Sequence, residues 1–92
     1  MPAKLDEVDE RLKRAIAQRF KNLREHFGRT QKEIALETNR DKQSYSKNER
    51  GKGATIYTIS KFCSENGITL SEFFESSEFE FLKPKKKKGS HP

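Results

Sequence analysis

Apolar residues recur at Val8, Leu12, Ile16, Phe20, Leu23 and Phe27, a spacing of four with one step of three that predicts a single buried stripe along a long first helix. Gly28 ends it. Thr30 and Glu33 then stand at capping-box spacing and open a second helix, about Gln31 to Thr38, whose inward face is Ile34, Ala35 and Thr38. Asn39 tolerates the left-handed conformation that closes a helix, and Asp41 caps a third helix from about Lys42 to Glu49. Gly51-Lys-Gly53 interrupts the chain again. Thr55 caps a fourth helix in which Ile56, Ile59, Phe62 and Cys63 face inward until Gly67, and Thr69 with Glu72 opens a short fifth helix carrying Leu70, Phe73 and Phe74. The expected fold class is all-α, a compact five-helix bundle over residues 16–74.

Two segments remain outside that bundle. Residues 1–15 extend the first helix by two turns or more, and Val8 and Leu12 there have no partner among the five helices. Residues 75–82 contain Glu78-Phe-Glu-Phe-Leu82, where charge and phenylalanine alternate with the period of a strand, a candidate C-terminal arm. Either the two segments pack on each other within one chain, or Val8, Leu12, Phe79, Phe81 and Leu82 form a dimer interface. Residues 83–92 are lysine-rich with nothing to bury, and disorder is the expectation for them.

Composition narrows the function. The chain has 92 residues, 30% hydrophobic and 37% charged, with a net charge of +6. That charge is unevenly placed: residues 1–15 are neutral, 16–53 carry +5, 54–82 carry −4, and 83–92 add five lysines. Positive charge therefore gathers on the second and third helices and on the tail, the footprint of a polyanion partner. A lone cysteine, Cys63, excludes an internal disulfide, and no Cys/His cluster suggests a metal or cofactor. No apolar run approaches a membrane span, and the protein is expected to be soluble and cytoplasmic. His26 and His91 lack a nucleophile or orienting carboxylate at recognisable spacing, so an enzyme is not expected.

The third helix is unusual in having little to bury. Tyr45 is its one large apolar residue, while Lys42, Gln43, Ser44, Ser46, Lys47 and Asn48 offer the donors and acceptors that read base edges in a major groove. With RFKNLREHFGRTQKEIA leading into it, ERGKG following it, and GITLSEFF closing the bundle, the chain resembles the phage repressor and Cro class of helix-turn-helix proteins, also called the xenobiotic-response-element type. The resemblance covers about Ile16 to Phe74. It implies a lambda-repressor-like five-helix domain that binds double-stranded operator DNA, commonly as a homodimer, in a bacterial or phage-encoded, nucleoid-associated protein.

Carried over by position, the resemblance makes Gln31 a phosphate contact that braces a base-reading neighbour, gives Lys42, Gln43 and Lys47 to the bases, and gives Ser44, Asn48, Arg50 and Lys52 to the backbone. Arg24 and Glu49 correspond to a pair that forms a buried salt bridge in some members. Arg40 stands where an aliphatic residue is usual, which either loosens the turn or sends the guanidinium to a phosphate. Tyr45 replaces an aliphatic residue and is expected to pack inward. The leading function is a sequence-specific transcriptional regulator, a repressor acting as a dimer; the alternative is a module of the same fold, such as an antitoxin, that works by holding a partner protein. A chain of this size is expected to carry no separate effector domain or small-molecule site.

Overall fold

The computed structural model describes residues 2–82, with side chains from residue 7 onward. Its helices are α1 (Pro2–His26), α2 (Gln31–Glu37), α3 (Lys42–Glu49), α4 (Ile56–Glu65) and α5 (Leu70–Phe74), followed by a 3-10 helix (Ser77–Leu82). No strand occurs among the described residues. The expected lysine-rich tail, residues 83–92, lies outside them.

Helices α2 to α5 each begin where a side chain can satisfy the first unpaired amides. Thr30 and Thr69 build complete capping boxes with Glu33 and Glu72, and Asp41 and Thr55 accept from the backbone of Ser44 and Thr58. Asn39 closes α2 with φ of 55°, the conformation its short polar side chain permits. Caps of this kind contribute about 1 kcal/mol each, which matters for α2, α3 and α5 because helices this short are not stable alone.

The core is a set of aromatic rings contributed by four helices. Phe20 of α1 is fully buried, with ring centroids at 6.1 Å to Tyr45 of α3, 4.8 Å to Phe62 of α4 and 5.3 Å to Phe73 of α5, all edge to face. Ile34 and Ala35 bring α2 to the same cluster. Ile56, expected to face inward, is instead 52% exposed, because the first residue of α4 lies at the outer end of the helix and burial begins at Ile59.

The segment expected to be strand-like is the 3-10 helix. A lone strand would leave its amides without a ladder, whereas the turn satisfies them locally, as Phe79 N donates to Ser76 O at 3.0 Å. Phe79 is 3% exposed and packs on Phe73 and Phe74 at 6.1 and 5.0 Å, so it belongs to the core and not to a dimer surface. Phe81 is half-buried beneath the Arg11 guanidinium, 4.2 Å from its ring, and Leu12 packs against the core as well. The extension of α1 and the C-terminal segment thus meet within one chain, leaving Val8 and Leu82 exposed. Arg19 ties this end down, donating to Phe73 O at 2.6 Å and Glu72 O at 2.7 Å, and Asn22 donates to Glu78.

Truncating Phe79 should therefore cost fold stability. Phe79→Ala is expected to lower the free energy of unfolding by about 3–5 kcal/mol, while Leu82→Ser stays within about 0.5 kcal/mol. Urea unfolding of the two variants checks this.

Candidate nucleic-acid interface

Helix α3 is held from behind and bare in front. Its inner side is Tyr45, Asn48 and Glu49; its outer side, one stripe at helical spacing, is Gln43, Ser46, Lys47 and Arg50. Tyr45 packs inward as expected, fully buried, with its hydroxyl 3.4 Å from the Phe20 carbonyl. Burial pushes the Tyr45 phenol far above its ordinary range, so it stays protonated.

Glu49 is the joint between α3 and the rest. Arg24 of α1 donates from Nε at 2.6 Å and from a terminal nitrogen at 3.3 Å, and Gln31 of α2 donates from Nε2 at 2.9 Å. The Tyr45 hydroxyl faces the same carboxylate. Both charged side chains are largely withdrawn from solvent, 14% exposed for Arg24 and 5% for Glu49. Burial pushes the Glu49 carboxyl up, but the hydrogen bonds from Arg24, Tyr45 and Gln31, with the charge of Arg24, outweigh it and hold the carboxyl below the usual range. The Glu49 bond raises the Arg24 guanidinium in turn. Nothing in the spacing of residues ties Gln31 to Glu49, which lie 18 positions apart on different helices; that contact emerges only when α2 and α3 are packed.

The remaining site residues divide into those that face solvent and those that do not. Lys42, Gln43, Lys47 and Lys52 are exposed. Ser44 is exposed, but its amide and hydroxyl are both bonded to Asp41, at 2.8 and 3.1 Å, and these bonds lower the Asp41 carboxyl. Arg50 is exposed and donates to Ser46 Oγ at 2.7 Å, which adds Ser46 to the outer stripe. Asn48, expected at the DNA backbone, is 1% exposed; its position on the inner side of α3 removes it from any surface contact, and its Nδ2 donates to Lys52 O at 2.9 Å.

Arg40 does not loosen the turn. Its amide donates to Ala35 O at 2.7 Å, closing α2, and its guanidinium folds back to donate to Ser44 O at 3.1 Å with its carbon 5.7 Å from the Tyr45 ring centroid. The side chain covers the turn as an aliphatic residue would, using its stem and flat face as cover. Partial burial lowers the guanidinium from its ordinary value, and it remains cationic.

The Glu49 joint makes stability depend on pH. A carboxyl whose folded pKa is depressed stabilises the fold above its unfolded value, near 4.3, and that contribution is lost as pH falls through the folded value. Denaturant midpoints should therefore drop on acidification below about pH 4.3, and Glu49→Gln should flatten that part of the profile. Glu49→Ala strands Arg24 and should cost about 3–5 kcal/mol at neutral pH.

Two further facts bear on the architecture. Among the described residues no helix is long and apolar enough to cross a membrane, and no group of His, Cys, Asp and Glu could hold a metal ion. A helix-turn-helix family model matches residues 20–73, from the central aromatic of α1 to Phe73 of α5. Neither the curated proteins nor the solved structures gave a match. The match spans more than half of the chain and contains the whole of α2, the Asn39 turn and α3, so the chain belongs to the helix-turn-helix family, as a DNA-binding regulator of the xenobiotic-response-element type.

Proposed function

We propose that this regulator is a repressor that binds a two-fold operator as a homodimer, with α3 in the major groove. The observation that carries the reading is the outer stripe of α3. Gln43, Ser46, Lys47 and Arg50 are polar or basic, while Glu49 and Tyr45 behind them fix the helix to α1 and α2. In this assignment Lys42, Gln43 and Lys47 meet base edges, and Ser44, Arg50 and Lys52 meet phosphates. Gln31 meets a phosphate at the start of α2 while Glu49 holds its amide. Repression then needs only occupancy, since phosphate contacts set the register, base contacts choose the site, and the bound protein excludes polymerase.

Two recognition helices read a two-fold site only when held about one DNA turn apart, roughly 34 Å. With Phe79 and Phe81 taken into the monomer, the apolar residues left for that interface are Val8, 45% exposed, and Leu82, 44% exposed. Holding a partner protein with the same fold is the second reading, and it rests on Ile56 and Tyr57, 52% and 82% exposed at the start of α4.

Duplex binding should weaken by about 10³-fold between 50 and 200 mM salt if about six phosphates are neutralised; a flat response would sink the reading. Gln43→Ala should cost about 1–3 kcal/mol on the preferred site and little elsewhere, relaxing choice at one position per half-site. Sedimentation tests the dimer: Val8→Asp with Leu82→Asp should yield a folded monomer where the native chain self-associates.

A further inference from the structure

Asn48 occupies a costly position. It is one of two buried polar residues in the described chain, its Oδ1 has no hydrogen-bond partner, and an aliphatic side chain there would bury no unpaired oxygen of its own, giving up only the bond to the carbonyl of Lys52, an exposed residue. Its orientation is settled by chemistry, because the group it meets is the Lys52 carbonyl, which accepts and therefore needs the amide nitrogen.

What the amide secures is the loop after α3. That helix ends in a Schellman arrangement: Gly51, at φ of 82°, donates to Asn48 O at 3.2 Å, and Lys52 N donates to Lys47 O at 2.9 Å. The motif alone satisfies the Lys52 amide and leaves its carbonyl unheld. Asn48 Nδ2 takes that carbonyl at 2.9 Å, so both backbone polar groups of Lys52 are bonded to α3, one on each side of its Cα. The direction in which the Lys52 side chain leaves the backbone is thereby fixed relative to Gln43 and Lys47, while the side chain itself stays exposed.

We infer that Asn48 is a positioning residue for DNA binding, which holds Lys52 at the height of a phosphate by gripping its backbone from within the core. The inference rests on Lys52 being a phosphate contact. An unheld lysine would have to restrict its backbone as well as its side chain on meeting DNA, and the amide removes the first of those costs before binding. The stranded Oδ1 is then a loss to folding that is offset by a gain in the complex, as strain kept at functional sites commonly is.

Salt titrations of duplex binding by the full chain test this, with thermal unfolding measured alongside. Asn48→Leu should unfold at the same temperature or higher, yet the slope of log affinity against log salt should shrink by about 0.9, one phosphate contact. Lys52→Ala should shrink it equally, and the double variant should lose no more than either single one. Asn48→Ala, which cannot overpack, should give the same slope as Asn48→Leu at temperatures where both are folded. A steep native slope that Asn48→Leu leaves intact, or losses from Asn48 and Lys52 that simply add, would overturn the positioning role. A native slope near zero would overturn it differently, by removing the phosphate reading on which it stands.

Discussion

The orientation of the helix-turn-helix depends on one carboxylate. Glu49 accepts from Arg24 on α1 and Gln31 on α2 while sitting at the last turn of α3, so a single side chain fixes three helices against one another. Buried ion pairs are not in general a source of stability, because desolvation offsets their attraction. What such a pair does well is punish misplacement: an α3 rotated by a fraction of a turn would leave a buried charge unpaired. Apolar contacts are poorly suited to this task, since rings slide over one another at small cost, whereas charge-assisted hydrogen bonds are directional.

This explains how a helix so poor in apolar residues keeps a defined pose. Tyr45 gives α3 one deep anchor in the ring cluster around Phe20, and an anchor at one point leaves rotation about it. Glu49 removes that freedom at the C-terminal end, and at the N-terminal end the short turn from α2, closed by the Arg40 amide on Ala35 O, limits it. Every one of these restraints acts on the inner side or the ends of α3. The outer stripe is left to polar side chains, which would be poor choices for packing and are good ones for a groove lined with donors and acceptors.

Much of this was legible in the sequence because it was local. Thr30 with Glu33, Thr69 with Glu72, Asp41 and Thr55 state where helices begin within three residues, and the spacing of Phe20, Leu23, Ile59 and Phe62 states which faces turn inward. Sequence and structure part where a local pattern has two physical outcomes. Alternation in Glu78-Phe-Glu-Phe suits a strand, but a strand needs a neighbour, and only the packed structure shows that Phe73 and Phe74 offer Phe79 a place instead. Asn48 reads as a contact to the DNA backbone from its position in the resemblance and from its amide. Its burial is set by the helical phase that Tyr45 and Glu49 impose, and its partner, the Lys52 carbonyl, exists only once Gly51 has turned the chain back. Arg40 offers a charge and also an aliphatic stem with a flat face, and only the packed turn shows that stem and face act as its cover.

Helix α1 also sorts the charge of the molecule. Residues two apart on a helix point about 200° apart, to nearly opposite sides. Arg24 reaches Glu49 of α3, while Asn22 reaches Glu78 of the 3-10 helix. One end further on, Lys13 lies against Gly51 after α3, while Arg11 covers Phe81. The net positive stretch, which includes α2, α3 and the loop to Gly53, and the net negative stretch, which includes α5 and the 3-10 helix, are thus packed on opposite flanks of one rod. Charge separated in this way gives the molecule a basic flank and an acidic one, and near a polyanion the basic flank turns inward before any contact forms. The long first helix, which extends beyond what the ring cluster needs, is in this sense the partition that keeps the acidic closing segment from neutralising the face beside α3.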